Sequence, residues 1–251
     1  MSAMAEPPLA SPDNPLVKEL RLLHKAEGRR AANAFLVEGR RAIDGFLAGG
    51  LRPDVLLHPS AEPAPAHWPP ARETHARVAA RLSQSTTPSG WFARFSIPHP
   101  GPLDPAAGGL VLAGVSDPGN AGTLMRSAAA FGIGQVVVVG GADPWSHKVV
   151  QASAGALATV RVHVLDPAAG LAPLRSGARV AALVVAGGAD PATVGPAPRW
   201  LVVGSEAHGL PTDWLSDQDE RLTLPMPGQV ESLNAAVAGS IACYLLARAR
   251  S

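Results

Sequence analysis

The sequence has a single cysteine, Cys243, in a chain of 251 residues, and it has only one tyrosine. One cysteine excludes an intramolecular disulfide and any zinc or iron–sulfur site built from several thiolates. We expect Cys243 to be a buried core residue, in a protein made in a reducing compartment. No metal site is expected.

Long apolar runs are also missing. No segment approaches the roughly 20 apolar residues that a membrane-spanning helix needs. Residues 1–15 lack the basic start and apolar stretch of a secretory signal. The sequence therefore predicts a cytoplasmic protein with no membrane partner. Because 47% of the residues are hydrophobic and 16% are charged, a disordered chain is excluded.

Charge is nearly balanced, but it is unevenly distributed. The net charge is +1, whereas residues 18–41 carry seven basic side chains and three glutamates. Such a region favours phosphate contacts, although a solvated amphipathic face is an equal alternative. The aromatic residues Trp91, Phe92 and Phe95 could stack on bases, but their apolar spacing favours the core. The predicted contacts to nucleic-acid phosphates are Lys18, Arg21, Lys25, Arg29, Arg30, Arg40, Arg41 and Lys148.

The hydrophobic pattern divides the chain in two. Residues 1–100 read as a small α/β domain, and a segment rich in proline and glycine (98–109) precedes a second domain at 108–251. In the first domain we predict helices at 15–30, 40–50 and 73–82, and strands at 34–39, 54–58 and 91–97.

In the second domain, continuous Val/Leu runs predict strands that are covered on both faces, as in a parallel α/β sheet. These runs occupy 110–115, 135–140, 160–165, 179–186 and 199–204, with a shorter strand at 221–226. Helices are predicted at 123–132, 149–157 and 232–250.

Three segments of this domain carry polar residues suited to chemistry. The first, 116–132, has turn residues after a buried strand and then opens a helix, with Asn120 just ahead of that helix and Arg126 in its first turns. The alternative is a helix-capping Asn120 and a surface Arg126. The spacing does not match G-x-G-x-x-G, which disfavours a nicotinamide or flavin site.

The second segment, 201–210, follows a strand and carries Ser205, Glu206 and His208. It is not a G-x-S-x-G nucleophile elbow, and taken alone its glutamate and histidine could be exposed loop residues. The third, 222–240, opens the last helix. Ser232 could be the N-cap of that helix, whereas Asn234 inside a helix calls for another role.

Together and in this order, DPGNAGTLMRSAAAFG, GSEAHGL and LPMPGQVESLNAAVAG resemble the three signature motifs of the SpoU/TrmH family of RNA ribose 2′-O-methyltransferases, in the SPOUT superfamily. The resemblance covers residues 109–251. More loosely, NPLVKELRLL and FLVEGRRAI are similar to the start of the family's RNA-binding domain, which is related to ribosomal protein L30e.

The resemblance implies a C-terminal SPOUT-type parallel sheet with a deep trefoil knot and a small L30e-like N-terminal α/β domain. It implies a homodimer whose sites are completed by both subunits. The implied reaction transfers a methyl group from S-adenosylmethionine to a ribose 2′-OH of RNA. Ribosomal RNA is favoured because a distinct N-terminal domain is present. The alternatives are a tRNA enzyme, an antibiotic-resistance enzyme or a catalytically idle RNA-binding relative.

The resemblance also implies roles for single residues. Arg126 matches the residue that draws the proton from the 2′-OH, as a base or as an electrostatic positioner. The other matching polar positions are Asn120, Glu206, Ser232 and Asn234. Cofactor contacts are implied at Gly204, Leu224, Met226 and Leu233, and we add Ala186 at the end of a predicted strand. Gln151 stands where the family often has an arginine, which could weaken one phosphate contact.

Overall fold

A computed structural model describes residues 6–197, 199–229 and 232–249. Over these residues the helices are α1 Pro15–Leu22, α2 Ala26–Ala32, α3 Arg40–Ala48, α4 Ala76–Leu82, α5 Pro118–Ala130, α6 His147–Ser153 and α7 Ala235–Arg248. The strands are β1 Ala34–Glu38, β2 Val55–Pro59, β3 Arg72–Thr74, β4 Phe92–Ser96, β5 Gly109–Ala113, β6 Gln135–Val139, β7 Arg161–Leu165, β8 Arg179–Leu183, β9 Arg199–Gly204 and β10 Glu220–Leu222. No helix within these ranges is both long and apolar enough to cross a bilayer.

The first compact unit comprises the described residues up to Pro98 together with Trp145–Ala158. Its sheet has the order β1-β4-β2-β3, in which only the β2–β3 pair is parallel. The segment Trp145–Ala158 belongs to this unit although its position in the sequence falls within 108–251. Gln151 donates a side-chain hydrogen bond to the Glu38 carbonyl of β1, which gives it a structural role inside this unit.

The predicted helix 15–30 is two helices, α1 and α2. They are separated by a turn, and Lys25 precedes α2 with extended backbone. Gly28 lies so close to the end of α1 that a Cβ there would be 2.0 Å from the Leu22 carbonyl oxygen. The extended backbone at Lys25 interrupts the helical hydrogen bonds, and the turn brings Gly28 against Leu22. The helix predicted at 73–82 begins only at Ala76, because Arg72–Thr74 pairs with β2.

The second compact unit comprises His99–Pro144 and the described residues from Thr159 onward. Its sheet has the order β10-β8-β9-β5-β6-β7, and every neighbouring pair is parallel, so the predicted parallel α/β sheet is confirmed. The strand predicted at 221–226 ends at Leu222, and Pro225, which has no N–H to donate to a ladder, excludes its continuation to 226.

Helix α7 packs on α5 and places Cys243 in the core, where burial raises the pKa of its thiol to about 12. The helix predicted at 232–250 begins later than expected, because the Asn234 side chain caps it by accepting hydrogen bonds from the Ala236 and Val237 amides. The alternative in which Ser232 is the N-cap is therefore wrong.

Candidate active site

A cavity of about 440 Å³ lies at the carboxyl ends of β8 and β9. This edge of an open parallel sheet is where α/β folds bind ligands. Residues of the second and third segments line it: Gly204, Ser205, Glu206, Gly209, Leu224, Met226, Ser232, Leu233, Asn234, Ala235 and Ala238, joined by Leu183, Val184, Val185 and Val203. The second and third segments and the residues that follow β8 therefore meet at one cavity.

Four of the five expected cofactor contacts line this cavity: Gly204, Leu224, Met226 and Leu233. The fifth, Ala186, does not. It is exposed and follows Val185, which is the last residue after β8 to reach the lining. Leu183–Val185 also line the cavity, and no sequence motif marks them as cofactor contacts. The end of the Val/Leu run at 179–186 could have indicated these contacts, but the run does not show where the strand stops.

The first segment meets the cavity through a chain of hydrogen bonds. Asn234 donates from Nδ2 to the Asn120 Oδ1 at 3.1 Å, and Asn120 donates from Nδ2 to the Glu206 Oε1 at 2.8 Å. The amide group of Asn120 is thus held at both ends. Because Glu206 and Asn234 both line the cavity, this chain forms part of its rim.

Asn120 is not a helix cap. Asp117 is the N-cap of α5 and accepts from the backbone amide of Asn120 at 2.7 Å, so Asn120 sits in the first turn with its side chain free to act elsewhere. The alternative interpretation of Asn120 as a cap is therefore wrong. The side chain of Asn234, by contrast, both caps α7 and reaches Asn120.

Glu206 is exposed, yet its carboxylate accepts several hydrogen bonds. Its Oε2 accepts from the backbone amide of Ser116 at 3.3 Å, a contact that the sequence did not indicate. Partial burial acts to raise the pKa of Glu206. Hydrogen bonds from Asn120, from its own amide and from the amides of Ser116 and Asp117 outweigh that effect and hold the pKa below its ordinary value of 4.5. Glu206 is therefore a carboxylate at neutral pH.

This lowered pKa predicts how stability depends on pH. A group whose pKa falls on folding stabilises the fold above its unfolded pKa, and the contribution is lost as pH falls through the folded value. We expect wild type to unfold at a higher temperature than Glu206→Gln near neutral pH, with the gap closing on acidification. Thermal unfolding across pH measures this. The exposed Asp213→Asn serves as the control, and a gap that persists in acid would contradict the assignment.

Arg126 lies on α5 and is exposed. It does not line the cavity of its own chain, and within the described part of the chain its guanidinium makes no hydrogen bond or ion pair. Ser127 beside it bonds to Ser240 of α7 at 2.7 Å, so this stretch of α5 is fixed while Arg126 faces solvent. One copy of the chain therefore does not bring Arg126 to the cavity.

The structure places the predicted phosphate contacts of the first unit in different surroundings. Arg29 is buried and donates to the Leu23 carbonyl at 2.8 Å, so its prediction as a phosphate contact is wrong. Arg40 pairs with Glu62 and stacks on Trp91 at 5.7 Å. The others are at least partly exposed: Lys18, Arg21, Lys25, Arg30, Arg41 and Lys148.

The aromatic residues Trp91, Phe92 and Phe95 are buried, so they belong to the core and do not present faces for base stacking. Among the residues that the structure describes, no group of three His, Cys, Asp or Glu side chains is arranged to hold a metal ion.

Comparison with known proteins agrees with this geometry. The model of the SpoU rRNA Methylase family matches residues 109–244, and that of the MRM3-like substrate binding domain matches 14–93. An uncharacterized tRNA/rRNA methyltransferase of Synechocystis sp. is 30% identical over 94% of this chain and 92% of its own length.

Two solved structures have similar folds over nearly their whole length. The crystal structure of an RNA 2′-O ribose methyltransferase has a TM-score of 0.79 and 28% identity, covering 96% of this chain and 98% of that one. An AdoMet-bound rRNA methyltransferase from Sinorhizobium meliloti has a TM-score of 0.80 and 26% identity, covering 96% and 97%. The family model spans more than half of the sequence, and this chain belongs to the SpoU rRNA methylase family.

Proposed function

We propose that this protein transfers a methyl group from S-adenosylmethionine to a ribose 2′-OH of RNA, with ribosomal RNA as the favoured substrate. One observation carries the proposal. The Asn234–Asn120–Glu206 chain of hydrogen bonds brings all three polar segments to the rim of a single cavity. Similarity to an RNA 2′-O ribose methyltransferase over almost the whole chain supports the reaction class.

The cavity fits the proposed cofactor in size and character. Its volume of about 440 Å³ is within the range of small-molecule sites, roughly 300–1,000 Å³. Leu224, Met226 and Leu233 offer apolar walls for a planar base, and the loop at Gly204 offers backbone groups. When bound, S-adenosylmethionine supplies a methyl group on a sulfonium, an electrophile that is already activated. We assign the holding of the cofactor to these four residues.

Activation of the ribose 2′-OH falls to the polar side chains, because this hydroxyl is a poor nucleophile until its proton is drawn away. Glu206 keeps its charge at neutral pH and retains lone pairs that can accept from a hydroxyl or a guanidinium. Asn120, held between Glu206 and Asn234, fixes the position of that carboxylate. We assign two roles to Asn120, Glu206, Asn234 and Ser232: they hold the target ribose and they orient Arg126.

We further propose that Arg126 reaches the cavity of a second copy of the chain in a homodimer. Helix α7 packs on α5 and exposes the apolar side chains Val237, Ile241 and Tyr244. These residues are spaced i, i+4 and i+7, so they share one face of the helix. An exposed apolar face next to the helix that carries Arg126 is suited to a subunit interface.

The finer features of the fold are part of the same proposal. We place the deep trefoil knot in the second domain, where the loop after β9 and the segment after β10 line one cavity. We take the first domain, 1–100, as L30e-like and RNA-binding. Its exposed basic residues would hold phosphates and make affinity fall with salt. RNA modification in the cytoplasm follows from this function.

The proposal is tested by calorimetry of S-adenosylmethionine binding and by transfer of a radiolabelled methyl group to ribosomal RNA or tRNA. We expect cofactor binding, and label on a ribose of ribosomal RNA. Label on a base would overturn the reaction, and label confined to tRNA would overturn the substrate. Absence of cofactor binding would favour an idle RNA-binding relative. Mapping the nucleotide in cells with and without the gene separates housekeeping from resistance.

A further inference from the structure

A second, smaller cavity of about 170 Å³ lies beside the one already described. The loop Ser205–Gly209 forms part of the wall of both, since each of these two residues lines both cavities. The loop is closed by two backbone hydrogen bonds, from the Ser205 amide to the Gly209 carbonyl at 3.0 Å and from the Gly209 amide to the Ser205 carbonyl at 2.9 Å. A single hydrogen-bonded loop thus separates the cavities.

Trp214 lines this small cavity, and its half-buried side chain packs against the apolar core of the unit. Arg175 donates to the Trp214 carbonyl at 2.6 Å and pairs with Asp219 at 2.7 Å, while Asp219 accepts from the Ser216 amide at 2.8 Å. Gly170 packs against the indole, where an added Cβ would lie 3.5 Å from the ring. These contacts fix the backbone at Trp214 and place its indole against Gly170.

Gly114 also lines the small cavity. It follows β5 and has a φ of +71°. A side chain there would be strained, and its Cβ would contact that of Ser205 at 3.8 Å. Two residues further on, Ser116 hydrogen-bonds to Glu206. The small cavity thus lies next to the groups to which we assign the target ribose.

The lining limits what the cavity can hold. His208, at its exposed edge, is the one titratable side chain among the described lining residues, and the rest of the surface is largely apolar. A phosphate would find no fixed cation there, and the volume is too small for a second cofactor with its sugar and base. A flat wall of half-buried indole and a cavity the size of one ring system suit a single planar base.

We propose that this cavity takes one unstacked nucleobase of the RNA substrate, with Trp214 as the stacking surface and His208 at the entrance. The inference rests on the proposed function, because it assumes that RNA reaches the neighbouring cavity. It adds a specificity site, since a base seated against Trp214 would fix the position of its strand relative to Glu206.

Tryptophan fluorescence can test the contact directly. Trp68, Trp91, Trp145 and Trp200 are each no more than 8% exposed, whereas Trp214 is half-buried. We expect a short mixed-sequence single-stranded RNA to quench the emission of wild type. Trp214→Phe should lose the quenching but still bind, because a phenyl ring can stack. Trp68→Phe, which removes an indole from the first unit, is the matched control and should keep the quenching.

Affinity and turnover supply the second readout. Trp214→Ala should weaken RNA binding by roughly five- to a hundred-fold, since stacking on an aromatic ring contributes about 1–3 kcal/mol per base. The effect should appear in KM for RNA, with cofactor affinity unchanged. Wild-type RNA affinity in a folded Trp214→Ala, or full quenching in Trp214→Phe, would overturn the inference.

The failure of this inference is distinguishable from failure of the proposed function. If wild type binds S-adenosylmethionine and methylates RNA while the Trp214 variants match it, only the nucleobase site is wrong. If wild type binds no S-adenosylmethionine, the proposed function itself fails. Should Trp214→Ala not fold, Trp214→Phe still decides the matter, because it keeps an aromatic wall and removes only the fluorescence signal.

Discussion

Arg126→Ala should lower the rate of methyl transfer by roughly a hundred-fold or more while leaving the affinity for S-adenosylmethionine unchanged. The side chain is exposed and does not line the cavity of its own chain, so its removal does not disturb the walls that would hold the cofactor. Loss of the group that draws away the 2′-OH proton typically lowers the rate by roughly a hundred- to ten-thousand-fold. Calorimetry and radiolabel transfer on the same preparation measure both quantities.

The exposed Arg161→Ala is a suitable control, because it removes an arginine of the same unit at the start of β7, away from the three polar segments. It should methylate like wild type. Normal turnover in Arg126→Ala would contradict the proposed role, and a parallel loss of cofactor binding would show that the substitution acts through the cavity instead.

The pH profile of the reaction separates the two possible actions of Arg126. A guanidinium is normally locked in its charged form, so a true base would give a rate that rises with pH throughout the accessible range. If Arg126 instead acts as a positioning cation, the rate would not rise with deprotonation of its guanidinium. Arg126→Lys sharpens the distinction. It keeps the charge but loses the planar fork, and a positioner that needs two parallel contacts would not be rescued.

The strands and the polar segments of the second unit were predictable from sequence because both depend on local patterns. Continuous Val runs such as 135–140 occur where a strand is covered on both faces, and β6 is buried along its length. Residues at the carboxyl ends of such strands meet at one edge, which is why Glu206 and Leu224 come together.

What sequence could not supply was set by tertiary contacts. The turn between α1 and α2 brings Gly28 against Leu22, and the buried Arg29 is satisfied by a carbonyl six residues away. The double role of Asn234 was likewise hidden. A capping residue and a site residue have the same sequence signature, and only the contact with Asn120 separates them.

The placement of Arg126 outside its own cavity leads to the second large expected effect. A heterodimer can be purified in which one protomer carries Arg126→Ala and the other carries Gly204→Val. At Gly204 an added Cβ would lie 2.6 Å from the Gly209 backbone, so valine displaces the loop that walls the cavity. Each homodimer alone should be inactive, because the Arg126→Ala homodimer lacks the arginine and the Gly204→Val homodimer lacks the cofactor site.

The heterodimer should recover about half of the wild-type activity, because in a two-fold dimer one of its two sites combines an intact cavity with an intact arginine from the other protomer. If Arg126 served its own cavity, neither site would be complete and no activity would return. Ile241→Glu, placed in both protomers, puts a charge on the exposed apolar face of α7 and should remove both the dimer and the recovered activity. Recovery that survived in the resulting monomers would contradict a shared site.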